Sequence, residues 1–206
     1  MKVLGFVLGA MLGASTLYGN QVIDWNYNNQ AKAGGNGCNS RNTDFISAGN
    51  EISVIFSDLG VNLTTGSQKV ARKVCRIVIP TSVRKGYYMA NLTQLITYGY
   101  NRTEGTEGKI VVSSRFYNQR AGSITAYAPS RRPSADPFDE PFAEARQRSR
   151  WLVRPGMCSP GGYKGNFISQ ITVNGYRKSK RKQIILQVDG QDIKFIASGY
   201  PLLCPR

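Results

Sequence analysis

Histidine is absent from the 206-residue chain, and carboxylates are scarce, 12 against 27 Lys and Arg. The missing imidazole excludes Ser-His-Asp and Cys-His catalysis, histidine general bases, and any zinc or iron site that needs a histidine ligand. A CxxC pair, an EF-hand ligand series, a Walker loop and a GxSxG elbow are missing too, so no cofactor and no metal are expected. Helical periodicity is nearly absent, and beyond the N-terminus no apolar run is long enough to span a bilayer. What is present is an apolar content of 41% with 11 Tyr and 8 Phe. That is the composition of one folded domain with a core, not of a disordered chain.

Lys2 precedes an apolar run from Val3 to Ala14 and then the short stretch Ser15-Thr16-Leu17-Tyr18-Gly19. This layout reads as a secretory signal peptide over residues 1–19, with cleavage after Gly19. About a dozen apolar residues fall short of the roughly 20 that a spanning helix needs. The mature chain, residues 20–206, is therefore expected to be a single domain without a transmembrane segment, exported to the periplasm, the cell surface or the medium. The four cysteines, Cys38, Cys75, Cys158 and Cys204, all fall in it. In an oxidising compartment an even count reads as two disulfides, and sequence alone allows three pairings. The preferred one joins Cys38 to Cys75 and Cys158 to Cys204, each linking the start of a segment to a strand or terminus downstream.

The mature chain is a series of short β-type runs separated by turn residues. Glu51 to Ser57 is one, Val74 to Ile79 is another that stops at Pro80, and Tyr88, Ala90, Leu92, Ile96, Tyr98 and Tyr100 occupy alternate positions of a third. Gly108 to Tyr117 and Ser123 to Tyr127 follow. Phe167 to Tyr176, Gln183 to Val188 and Gln191 to Ser198 read as a meander, the last two runs joined by a tight hairpin at Asp189-Gly190. The expected fold is all-β: a single antiparallel β-sandwich of the jelly-roll or immunoglobulin-like kind, with two disulfides and at most one short helix. That helix would lie between Phe142 and Trp151, where Glu140, Glu144 and Arg148 have i, i+4 spacing, inside a Pro-rich surface excursion at about 128–150.

The strongest local charge signal is Arg177-Lys178-Ser179-Lys180-Arg181-Lys182, expected at the tip of a hairpin. Such a run often serves only to solubilise a turn and protect a sheet edge. Here the cation excess is spread over the whole chain, a formal +15, and a surface of that kind attracts polyanions. Arg115 and Tyr117 alternate with Phe116 and would share an outward face on which a sugar could stack. The polyanion-binding candidates are thus Arg177, Lys178, Lys180, Arg181, Lys182, Arg115 and Tyr117. An exported protein meets lipopolysaccharide, teichoic acid or acidic polysaccharide. Nucleic acid is set aside, because the RNP-like start at Lys85-Gly86-Tyr87-Tyr88 fails at Tyr88, where that motif needs a small residue. The reading favoured is a non-enzymatic binding or structural module for anionic cell-surface polymers. Its alternatives are a polysaccharide-active enzyme with paired carboxylates and a secreted effector that binds a host or competitor protein. No catalytic residue is assigned: Asp136, Asp139, Glu140 and Glu144 lie among prolines and arginines, and Asp189 and Asp192 flank a turn.

Gly35-Asn36-Gly37-Cys38, Arg72-Lys73-Val74-Cys75, Tyr98-Gly99-Tyr100, Cys158-Ser159-Pro160-Gly161 and the terminal Cys204 together resemble the secreted family known as domain of unknown function 4360. The resemblance covers most of the mature chain. It departs at the third cysteine, where the family places serine and proline before the cysteine, and at Tyr200-Pro201-Leu202-Leu203, where the family has a tryptophan. It implies an exported, disulfide-bonded β-protein, and it carries over no catalytic residue. Intact mass of the secreted protein is expected to show loss of residues 1–19; a secreted chain that retains Met1 would contradict the leader assignment.

Overall fold

Burial with a period of two runs through the chain. Ile52, Val54 and Phe56 are buried while Ile55 between them is 44% exposed, and Ile110, Val112, Ser114 and Phe116 are buried while Lys109, Ser113 and Arg115 face water. Such alternation makes one-sided strands, which must pack face to face to hide their apolar sides. The computed structural model describes residues 23–26, 29–64, 68–85, 91–116, 119–128, 142–150 and 163–195, and among these no residue is helical. The strands are β1 (Ile23–Trp25), β2 (Lys32–Gly35), β3 (Thr43–Ala48), β4 (Glu51–Asn62), β5 (Val70–Val83), β6 (Asn91–Arg102), β7 (Thr106–Phe116), β8 (Gln119–Tyr127), β9 (Phe142–Arg150), β10 (Tyr163–Arg177) and β11 (Ile184–Phe195).

They form two antiparallel sheets. The front sheet has the order β1-β5-β10-β7-β8, with β2 also paired to β5, and the back sheet has the order β3-β4-β11-β6-β9. The sheets sandwich Cys75, Ile77, Val112, Phe167, Ile171 and Val173 from the front against Ile52, Val54, Ile96, Leu186 and Val188 from the back. Each such side chain contributes roughly 1.5 to 3 kcal/mol on burial. A polar cluster bridges the sheets within this core: Ser114 Oγ donates to Gln94 Oε1 at 2.7 Å and meets Ser169 Oγ at 3.1 Å, while Gln191 Nε2 donates to Gln94 Oε1 at 3.0 Å. The all-β sandwich is as expected. Among the described residues no helix is long and apolar enough to cross a membrane.

Among the described residues one disulfide is present, between Cys38 and Cys75, with Cα atoms 5.2 Å apart. Cys158 and Cys204 lie outside the described residues. The segment before Cys38 is shaped to lie on β5: Asn36 Oδ1 accepts the Val74 N–H at 2.6 Å, Gly37 N donates to Val74 O at 3.1 Å, and Lys73 Nζ donates to Asn36 O at 3.0 Å. At Gly35, φ is +148° and an added Cβ would stand 2.1 Å from Val74 O, so any larger residue would push the segment off the strand.

Three local expectations need correction. Phe142 to Arg150 is an edge strand, β9, not a helix: Ala143 and Ala145 pack beside Tyr98 and Ile96, while Glu144 and Arg146 face out, so the charges obey a period of two. The Pro-rich excursion is correspondingly shorter, and residues 129–141 lie outside the described residues. Asp189-Gly190 is no hairpin turn, because β11 runs through it; the flanking runs pair with β4 and β6 rather than with each other, and a register shift between Val188 and Gly190 absorbs the extra residue. Finally, β5 does not stop at Pro80. The Pro80 carbonyl accepts from Asn26 N on the β1 side, so its missing N–H faces the gap between β2, which pairs as far as Val78, and β1, which starts at Thr81.

Arg177 through Lys182 is not a hairpin tip either. β10 belongs to the front sheet and β11 to the back, so the segment is a crossover between layers. Arg177, expected to face a ligand, is completely buried. Its Nε donates to Gln68 O at 2.8 Å, and its Nη1 lies 3.0 Å from Leu63 O and 3.2 Å from both Lys180 O and Lys182 O. The guanidinium thus satisfies carbonyls of two crossovers that have left their ladders, a task suited to a planar group with five permanent donors. Arg177→Met is expected to lower unfolding free energy by several kcal/mol, since each stranded buried carbonyl costs roughly 1 to 3. Glutamine at Lys178, Lys180, Arg181 and Lys182 together should change it little. Denaturant unfolding checks this, and an Arg177→Met variant as stable as the parent would contradict it.

Candidate functional site

Cations dominate the outer face of the front sheet. On the front sheet, Lys32, Arg72, Arg76, Lys109, Arg115 and Arg120 are outward-facing, against Asp24 and Glu107. On the back sheet acidic and basic residues are mixed: Asp44, Glu51, Asp58, Glu144 and Asp192 face out, and so does Arg146, while Arg148 and Arg150 stand opposite Thr93 and Asn91 and Lys194 stands opposite Glu51. A sheet face with one dominant sign carries its own field and concentrates counter-charged polymers over it.

At the end of the front sheet where the crossovers lie, there is a cleft of about 430 Å³ lined by Tyr127, Tyr176, Lys109, Glu107, Asn174 and Arg102, together with Val70, Gly108, Ala128 and Gly175. Strand register assembles it: Asn174 lies opposite Lys109 and Arg72, Lys109 opposite Tyr127, and Tyr176 opposite Glu107 and Val70. Both tyrosines are outward, Tyr127 being 62% and Tyr176 38% exposed, and Lys109 Nζ stands 5.5 Å from the Tyr127 ring centroid. The floor is a register pair of glycines, Gly108 and Gly175. An added Cβ would point away from the cleft and come within 2.9 Å of Ile184 Cδ1 at the first and of Val61 Cγ2 at the second, so it is the packing between the sheets that requires glycine at both. From below, the Tyr98 hydroxyl donates to the Tyr127 carbonyl at 3.4 Å. Burial, and secondarily the neighbouring Tyr100, raise the Tyr98 pKa above 10, so it remains a protonated donor throughout the physiological range.

The basic crossover abuts this cleft. Lys178 N donates to Gly105 O at 3.2 Å, and Gly105 leads directly into Thr106 and Glu107 of β7. Lys178, Lys180 and Arg181 are exposed and Lys182 is half-buried, their backbone tied by Arg181 N to Ser179 Oγ at 3.2 Å and Lys182 N to Ser179 O at 3.1 Å. The crossover that carries Lys178, Lys180, Arg181 and Lys182 thus starts beside the cleft, whose lining includes none of the four, while Arg177 turns inward. Arg115 is exposed on the same outer face but far from them, since Thr106 to Arg115 spans roughly 30 Å at the usual rise of a strand. Tyr117 lies outside the described residues. Tyr127, Tyr176, Lys109 and Asn174 were not singled out by the sequence; the available signal was an outward tyrosine at a strand end, immediately before the basic run in the case of Tyr176.

Chemically, the cleft offers aromatic rings that can stack on the apolar face of a sugar, an amide for its hydroxyls, and cations for acidic substituents. Glu107 is the one carboxylate lining it among the described residues, whereas paired-acid glycoside hydrolysis needs two about 5 to 9.5 Å apart. No group of three or more metal-ligating side chains converges among the described residues.

No curated protein matches the sequence. Among solved structures, the chain is similar to TmCBM61 in complex with β-1,4-galactotriose, with TM-score 0.34 and 6% identity over 81% of this chain and 89% of that one. It is similar also to TmCBM27, a carbohydrate-binding module of specific mannan recognition, with TM-score 0.30 and 14% identity over 80% and 84%. A third is the family 11 carbohydrate-binding module from Clostridium thermocellum in complex with a β-1,3-1,4-mixed-linked tetrasaccharide, with TM-score 0.19 and 13% identity over 86% and 91%. With residues 29–198 matched by the family model, and with the Gly35-to-Cys38 segment fastened by its disulfide to β5, the chain belongs to the family described as Domain of unknown function (DUF4360).

Proposed function

We propose that this chain acts after export as a non-enzymatic binding module for an anionic cell-surface polysaccharide, which it takes up at the crossover end of the front sheet. The observation that carries the reading is the juxtaposition at one cleft of two outward tyrosines, Lys109 between them, and the basic crossover beside it. The tyrosines supply rigid platforms for sugar rings at small cost in side-chain entropy. The lysines and arginine supply long-range attraction and pairing with acidic groups. The charged crossover is held in place from within by Arg177, so its cations are presented rather than merely solvated.

Binding to polygalacturonate, a linear uronate polymer, tests this. Glutamine at Lys178, Lys180, Arg181 and Lys182 should weaken binding and flatten its dependence on salt, because each cation that neutralises a polymer charge releases a condensed counterion. Tyr127→Ala and Tyr176→Ala should each weaken binding by roughly tenfold, the size expected of a tyrosine at the centre of an interface. Glu107→Gln should tighten it by removing a repelling carboxylate. A quadruple variant that keeps both affinity and salt slope, with tyrosine variants that bind like the parent, would overturn the assignment.

A further inference from the structure

At the far end of the front face from the cleft, Arg115 and Arg120 are register partners on β7 and β8, both exposed. Like charges directly opposite each other in an antiparallel pair are destabilising. No described carboxylate lies opposite either of them: the same row runs from Arg120 and Arg115 through Ile168 to Val78 and Lys32. A bulge, with a register shift between Ser114 and Arg115, sets this pair, and bulges re-aim side chains where a strand pair has a task. Between this pair and the cleft, the face carries Arg76, Gln170, Ser113 and Ser123 in one row and Val74, Thr172, Val111 and Thr125 in the next, with Arg72 and Asn174 at the level of the cleft. Each row thus holds at least one hydrogen-bonding or cationic residue, the second through its two threonines.

We propose that Arg115 and Arg120 form a second anion subsite, and that the outer face of the front sheet is an end-to-end track for one extended anionic polysaccharide chain. The proposal rests on the reading of the cleft given above and specifies its ligand: a linear chain with repeated acidic groups, long enough to reach both ends, rather than a short acidic oligosaccharide. Lys109 and Arg115 are separated by roughly 20 Å along β7. A chain that spans this distance makes its second contact intramolecularly, so affinity rises without any change at the cleft.

The experiment is a length series of galacturonate oligomers titrated by calorimetry into the intact protein at fixed salt, with methyl-esterified oligomers as the uncharged control. The parent should show a step of roughly tenfold or more in affinity once oligomers exceed about 20 Å. Arg115→Gln with Arg120→Gln should remove the step, leave short-oligomer affinity unchanged, and leave the protein at least as stable, since a like-charge pair has been relieved. Esterified oligomers should show no step. An equal step in the parent and the double variant, or none in the parent while short oligomers bind, would overturn the track and leave the cleft standing. Short oligomers whose binding ignores Tyr127→Ala and Tyr176→Ala would instead overturn the cleft.

Discussion

A fully buried guanidinium holds the crossover end of this sandwich together. Where β4 crosses to β5 and β10 crosses to β11, the chain leaves one ladder before joining another, and its carbonyls turn toward the interior. Arg177 gathers those of Leu63, Gln68, Lys180 and Lys182. These four acceptors are neutral carbonyls, whose dipoles solvate the buried cation much as water would. The same closure places Gly108 and Gly175 against the back sheet, leaving the floor of the cleft between Tyr127 and Tyr176.

Strand periodicity gives the front sheet its outward chemistry. It sends alternate residues inward to the core and outward to a face where cations dominate, with aromatic and amide groups on that same face at the cleft. Under the proposed function, long-range attraction and short-range recognition then act from one side of the molecule.

How much of this could be read from the residues depends on how local the deciding interaction is. Period-two burial is local, and it made the sandwich legible; the cysteine count left three pairings open, and the preferred Cys38–Cys75 bridge is the one seen among the described residues. Pairing partners are non-local. Asp189-Gly190 carries the signature of a turn, yet β4 and β6 hold both of its flanks in line. Glu144 and Arg148 satisfy helical spacing, yet Ala143 and Ala145 find their places beside Tyr98 and Ile96. Gln94 interrupts the apolar alternation of β6 and still points inward, because Ser114 and Gln191 await it there. For the site, the basic run was evident from composition, but Arg177 could be separated from Lys178 only by the carbonyls it meets. Tyr127 and Tyr176 come together across β8, β7 and β10, a neighbourhood created by register alone.

The central claim is that one face, and one end of it first, meets the anionic polysaccharide. Backbone amide chemical shifts followed by NMR during titration with a galacturonate oligomer test it most directly. The account predicts the largest perturbations at Lys109, Tyr127, Asn174, Tyr176 and Lys178, with Asp44, Ser53 and Asp192 of the back face unchanged. Perturbations centred on the back face, or spread evenly over both sheets, would contradict it.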